Sequence, residues 1–275
     1  MSRDAAWIER EFGREKWQSV LGRVRSLARA GESSLARAVA ELHRDENADA
    51  GLDPIDIVLD GKPVSVPAVF AYPGFYALVR NVLLLRCEAV RPDLIVELGA
   101  GWGRNLFDLW LAGGPRDARY AALEFTASGR EATCLLGNLE AGLRLEVHPF
   151  DYYAPEATVI EPGRRVLVFT VFSIDQIPTL AAAAIRWAFD LGADVWGVNF
   201  EPFGWQCRDE LGQSQMVGSS AQYAARHDYN RNFWPVMRDL AENRSLEIEL
   251  VRPELYGANP DNAASLLQWR KTRRV

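Results

Sequence analysis

The chain is poor in cysteine and histidine, has no long uncharged apolar run, and carries no excess of positive charge. Its three cysteines, Cys87, Cys134 and Cys207, form no C-x-x-C pair and no metal spacing. Cys87 and Cys134 fall in apolar helical patterns, which predicts buried free thiols and a reducing, cytoplasmic setting. The three histidines lie far apart in sequence, so no metal is expected. No run approaches the ~18 apolar residues of a membrane span. The start, MSRDAAWIEREF, has no apolar signal region. A membrane partner is therefore not expected. Lys plus Arg total 31 against 37 Asp plus Glu, a net charge of −6, which argues against a broad phosphate footprint and hence against nucleic acid.

What is present is the composition of a globular chain: 275 residues, 48% hydrophobic and 25% charged. Residues 5 to 43 read as helices. Trp17, Val20, Leu21, Val24 and Leu27 recur at three and four spacing, Gly31 breaks the pattern, and Ser33 is placed to cap a second helix. IDIVLDGKPVSVP alternates around Asp60-Gly61, a hairpin signal. The segment FYALVRNVLLLRCEAVRP is a helix ending near Pro92. From there strands alternate with helices. DLIVELGAG, RYAALEF, LRLEVHPFD, RRVLVFTVFS and DVWGVNFE are five strands, with the helix IPTLAAAAIRWAFDLGA before the fifth. SLEIELVRP and SLLQWRKT close the chain with no helix between them, so they pair antiparallel. The expected fold class is α/β: a Rossmann-like, doubly wound, mostly parallel seven-stranded sheet with a terminal antiparallel pair and an N-terminal helical and hairpin extension. Residues 1–74 form that extension, a lid or dimer surface, and residues 75–275 the Rossmann-like domain.

The loop after the first of these strands, ELGAGWG, carries the chemistry. Gly99 permits the turn out of the strand, and Gly101 and Gly103 allow close backbone approach to a ligand at a helix N-terminus. A dinucleotide loop reads G-x-G-x-x-G. Here the spacing is G-x-G-x-G, and Arg104 stands where the third glycine belongs. Glu97 precedes the first glycine, where a carboxylate repels a pyrophosphate and attracts an ammonium or sulfonium. Glu124 ends the second strand, a place from which a carboxylate accepts from a ribose diol. Asp151 ends the third in HPFDYY, suited to an adenine amine, with Tyr152 or Phe150 beside the ring.

With VELGAGWG, Glu124 and Asp151 in register, residues 75 to 275 resemble the class I S-adenosylmethionine-dependent methyltransferases. VLVFTVFS lies where that family's fourth motif begins, and the terminal antiparallel pair also matches. The resemblance implies S-adenosyl-L-methionine as cofactor and S-adenosyl-L-homocysteine as product. It also implies cofactor roles for Glu97, Gly99, Gly101, Gly103, Glu124 and Asp151. The fourth strand ends FSIDQIP, without the Asn/Asp-Pro-Pro-aromatic motif of nucleic-acid and glutamine amino-methyltransferases. The Pro-Cys pair of cytosine enzymes is absent too.

The expected acceptor is a small molecule or peptide, methylated on an amine nitrogen. Asp175 is placed to orient the amine, or else to cap the next helix. Glu201 and Asn199, at the end of the fifth strand, would face the same cleft, with Trp205 as a wall. Glu201 and Glu210 are spaced like the paired glutamates of protein arginine methyltransferases, but they follow the fifth strand instead of the fourth, so the match reads as chance. His227 is a candidate base for an oxygen acceptor, the alternative within the class. Tyr72, Tyr229, Asn232 and Asn259 complete the substrate candidates, while Tyr72 and Tyr76 also suit core packing. Asn230 can cap the helix that carries Phe233, Trp234 and Met237. A nicotinamide-dependent (NAD or NADP) oxidoreductase and a non-catalytic cofactor-binding protein are the alternatives of other classes.

Overall fold

The structure, a computed structural model, describes residues 3–211 and 220–272. The chain enters through a short helix α1 (Ala5–Ile8), a π-helical stretch (Glu9–Lys16) and α2 (Trp17–Arg29). Next comes α3 (Leu35–Glu46), capped one residue later than the sequence suggests: Ser34, not Ser33, accepts from the Arg37 N–H at 3.4 Å. The hairpin β1 (Pro54–Leu59) and β2 (Lys62–Pro67) turns at Asp60 (φ 50°) and Gly61 (φ 71°). Two left-handed residues match the twist of a two-residue hairpin. α4 (Ala71–Val90) lays Phe75, Val79, Leu83 and Cys87 on the core. With the turn before it, Ala68–Val90 is long and apolar enough to cross a membrane (mean hydropathy 1.5), which corrects the reading that no run comes close. Its four-residue apolar spacing puts one face on the sheet.

Strands and helices then alternate: β3 (Leu94–Leu98), α5 (Arg104–Leu111), β4 (Arg119–Glu124), α6 (Ala127–Gly137), β5 (Leu145–Pro149), β6 (Gly163–Val171), α7 (Ala182–Phe189) and β7 (Gly192–Glu201). The short α8 (Arg208–Leu211), α9 (Ser220–His227) and α10 (Phe233–Glu242) lead to β8 (Leu246–Gly257) and β9 (Ala264–Lys271). Asn230 caps α10, its Oδ1 accepting from the Phe233 N–H at 2.7 Å.

The sheet order is β2-β1-β8-β9-β7-β6-β3-β4-β5. The five strands β3 to β7 pair parallel, and β9 runs antiparallel between β7 and β8. The expected seven-stranded arrangement is therefore present, but the sheet has nine strands among the described residues. The hairpin joins it through Val58↔Gly257 and Leu59↔Tyr256. That pairing spans some two hundred residues, and no local signal marks it. β8 also continues past Pro253, where the sequence ends it. A register shift between Arg252 and Tyr256, with Glu254 at φ 46°, absorbs the proline as a bulge.

Two apolar cores lie on the two faces of the sheet. β3 is buried along its whole length, as a central parallel strand requires. α2 packs on α6, and α3 on α5 and α6, so the N-terminal helices rest on the elements that flank the glycine loop. Cys87 and Cys207 are buried, whereas Cys134 is exposed on α6, against expectation.

Candidate functional site

Strand order reverses at β3 and β6, and a ligand site is expected outside the carboxyl ends of those strands. There Gly99, Gly101 and Gly103 take φ of +73°, +57° and +81°, conformations that L side chains rarely adopt. A Cβ on Gly99 would run into the Ser173 side chain, which arrives from the end of β6. A Cβ on Gly101 would lie 2.7 Å from the Trp17 indole. The spacing G-x-G-x-G thus serves two close approaches, one to β6 and one to the N-terminal segment.

Glu124 latches this loop. Its Oε2 accepts from the Gly101 N–H at 2.8 Å, and its Oε1 from the Thr126 N–H at 2.8 Å and hydroxyl at 2.7 Å. The carboxylate borders a cavity while holding the loop. Glu97 lies behind the loop, 1% exposed. Its Oε1 accepts from Asn105 Nδ2 at 2.7 Å, and its Oε2 has no hydrogen-bond partner among the described residues. Burial pushes its carboxyl up to about 8. Trp102 turns away from the loop surface, buried against Phe107 and near Glu46 of α3.

Two cavities meet above the strand ends. The narrower has room for about 80 Å³ and is lined by Gly99, Glu124, Phe150, Asp151 and Tyr152, with Phe12 and Trp17 from the N-terminal segment. Tyr152 donates toward the Leu98 carbonyl at 3.3 Å and shares a 2.5 Å hydrogen bond with Ser173 Oγ. The larger encloses about 830 Å³. Phe12, Phe172 and Gln176 border both. Phe172 has φ 48°, a costly backbone for an aromatic residue, and it lies at the junction.

Of the sequence-selected substrate residues, Asp175, His227, Tyr72, Tyr229 and Asn259 line the larger cavity. Asn259 Oδ1 also accepts from the Asp261 N–H at 3.0 Å, so its amide serves the turn. Asp175 is 2% exposed. It caps no long helix, since α7 begins only at Ala182. Its Oδ2 accepts from Gln176 Nε2 at 2.8 Å, and its Oδ1 has no hydrogen-bond partner among the described residues. Burial raises its carboxyl to about 6, against the opposing pull of the Gln176 bond and the charges of Arg3 and Lys16. Lys16 is enclosed by cavity walls while still reached by solvent, and that enclosure lowers its ammonium pKa.

Four candidates lie elsewhere, and three of them have a packing reason. Glu201 turns under the loop after β6, where its two oxygens accept from the N–H groups of Ser173, Ile174 and Asp175 at 3.1–3.2 Å. It positions Asp175 and does not line the larger cavity; burial and then the Asp175 charge raise its carboxyl to about 8. Asn199 is buried between strands, donating to Thr170 Oγ1 and accepting from Trp269 Nε1, each at 2.9 Å. Asn232 clamps the backbone of Leu180 through its Oδ1 at 2.8 Å and Nδ2 at 2.9 Å. Trp205 borders neither cavity. Glu210 accepts from Trp234 Nε1 at 2.8 Å and pairs with Arg238, so it forms no acidic pair with Glu201.

Sequence reasoning reads residues 1–74 as a lid or dimer surface but does not name the aromatic residues that roof the narrower cavity. Trp7, Phe12 and Trp17 pack in succession, the first pair edge-on and the second tilted, with ring centroids 5.9 and 6.2 Å apart. Their five-residue spacing fits neither an α-helix nor a strand and was the available signal. Ser128 Oγ ties the π-helical stretch down by donating to the Gly13 carbonyl at 2.7 Å.

Comparison with known proteins supplies a fold. No family model matches the sequence, and no curated protein matches it. Among solved structures, the chain is similar to a methyltransferase from Podospora anserina bound to SAH, with 15% identity and a TM-score of 0.50 over 72% of this chain and 79% of that one. An O-methyltransferase from Bacillus cereus in complex with SAH aligns at 13% identity, 86% and 91% coverage and a TM-score of 0.48. The magnesium protoporphyrin IX methyltransferase from Synechocystis with bound SAH aligns at 14%, 73% and 84%, and 0.47. The chain has the fold of the class I S-adenosylmethionine-dependent methyltransferases.

Proposed function

We propose that the protein is an S-adenosylmethionine-dependent methyltransferase acting on a small-molecule or peptide acceptor, with an amine nitrogen as the methylated atom. The observation that carries this reading is the orphaned carboxylate oxygen of Glu97, buried behind three left-handed glycines at the switch point. Such a group is costly unless an ammonium or water reaches it, and an amino acid moiety on the loop provides that charge. The donor set therefore fits the cofactor: Glu124 and Asp151 lie at the cavity rim with Phe150 and Tyr152 beside a flat ring, and Glu97, behind the glycine loop and lining neither cavity, is the acid for the amino group. The cavity beneath Trp17 and Phe12 is narrow, so entry requires the N-terminal segment to shift.

The cofactor supplies an already activated methyl group. The residues of the larger cavity contribute alignment and exclusion of water. Asp175, with a free oxygen and a raised pKa, accepts a hydrogen bond or a proton from an amine. Its position is fixed by Glu201 from below and by the Asn230 N–H, which donates to its carbonyl at 2.9 Å. An oxygen acceptor with His227 as base is the second reading, favoured by the place of His227 in the same cavity wall. The test is calorimetric titration with S-adenosylhomocysteine, with NADH in parallel. Micromolar binding of the first and none of the second is expected. Binding of NADH alone overturns the reading.

A further inference from the structure

Arg3 is drawn into the larger cavity from the start of the chain and is 7% exposed. Its guanidinium carbon lies 4.1 Å from the centroid of the Trp7 ring and 4.3 Å from that of Tyr229. Nε donates to the His227 carbonyl at 2.5 Å, Nη1 donates to Gln176 Oε1, and the backbone N–H reaches Asp228 Oδ2 at 3.4 Å. A planar cation between two aromatic faces, with fork donors on two acceptors, is the arrangement that guanidinium favours over ammonium. Gln176 borders both cavities, so Nη1 sits at their junction.

The slot has supports besides Arg3. Tyr229 packs on His227 at 5.6 Å and Tyr223 at 5.9 Å, and Trp7 meets the edge of Phe12. Asp175 supplies a second, independent sign of a ligand: a buried carboxylate that lines the cavity and has one oxygen unpartnered among the described residues. Charge points the same way. With Arg3 in place, Glu11, Glu15 and Asp175 line the cavity with two cations, Arg3 and Lys16. With Arg3 withdrawn, three carboxylates and Lys16 line the cavity, and the space left is complementary to a guanidinium in shape and charge.

We propose that the slot between Trp7 and Tyr229 is a guanidinium subsite of the acceptor cavity, filled in the free chain by Arg3, and that the acceptor carries a guanidinium group that displaces it. This rests on the reading of the larger cavity as the acceptor site. Displacing Arg3 also releases the segment that carries Phe12 and Trp17, the roof of the narrower cavity.

The test is calorimetric titration of the full chain with agmatine, and with putrescine as the ammonium counterpart, for the wild type and Arg3→Ala. Self-occupancy lowers apparent affinity by the fraction of time the slot is open. Arg3→Ala is therefore expected to bind agmatine about tenfold more tightly than the wild type. Putrescine should show no such gain, and adding Trp7→Ala should remove it. In the wild type, saturating agmatine should speed amide hydrogen exchange over residues 4–12, a readout that does not depend on the variant folding. Equal agmatine affinity in both chains, an equal gain for putrescine, or unchanged exchange overturns the proposal. Titration with S-adenosylhomocysteine separates the two readings. If it binds and agmatine does not, only the subsite fails; agmatine binding without it leaves a guanidinium site and removes the methyltransferase.

Discussion

Gly101 and Trp17 offer a quantitative test of whether the N-terminal segment roofs the glycine loop. Gly101 has φ +57°, and a Cβ there would meet three indole atoms of Trp17 at 2.7, 3.0 and 3.1 Å. Gly101→Ala therefore incurs two separable costs. Holding an L residue in the left-handed region costs about 1–2 kcal/mol. Forcing the indole aside is overpacking, at about 1–3 kcal/mol. The sum is about 2–5 kcal/mol in the wild-type background. In a Trp17→Ala background the overpacking disappears, and only about 1–2 kcal/mol remains. The coupling energy of the double-mutant cycle is then about 1–3 kcal/mol. Urea unfolding followed by circular dichroism gives each value. The same penalty for Gly101→Ala in both backgrounds would refute the contact, and with it the roofed cavity on which the N-terminal segment's role depends.

Three further outcomes are expected. Asp175→Asn keeps the shape but loses the proton acceptor, so turnover should fall about 100-fold while S-adenosylhomocysteine affinity changes little; unchanged turnover would show that Asp175 is structural. Stability should decline as pH rises from about 6.5 to 8. Glu97 and Glu201 are each pushed up to about 8, so over that range the folded chain holds protons that the unfolded chain has released. The loss is at most about 1.4 kcal/mol per pH unit per group. His43, lowered to about 4 by burial, acts in the opposite sense only below about 6.5. Denaturant midpoints that rise across the window would contradict this. Asn199→Ala should lower stability by about 1–3 kcal/mol, because it orphans Trp269 Nε1 and Thr170. Its S-adenosylhomocysteine affinity should not change, and a specific loss of binding would return Asn199 to the site.

The sequence by itself determined the parts of this protein that depend on local order. Alternating strands and helices, the Asp60-Gly61 turn, and glycines at 99, 101 and 103 are encoded within a few residues, because backbone conformation and hydrophobic period are local properties. Glu124 and Asp151 were legible at the cavity rim for the same reason: each ends a strand, and parallel strands in this topology deliver their carboxyl ends to one edge. Only the tertiary structure decided which polar groups are left over for a ligand. Glu201, Asn199 and Asn232 look like site residues in a string of letters, but long-range packing places a backbone or side-chain partner beside each. Hydrogen bonding then commits them to holding the framework. Asp175 Oδ1 and Glu97 Oε2 stay free for the converse reason. Arg3, Trp7, Phe12 and Trp17 reach the site from the far end of the chain. A roof assembled across more than one hundred residues is specified by packing, and no motif spells it out.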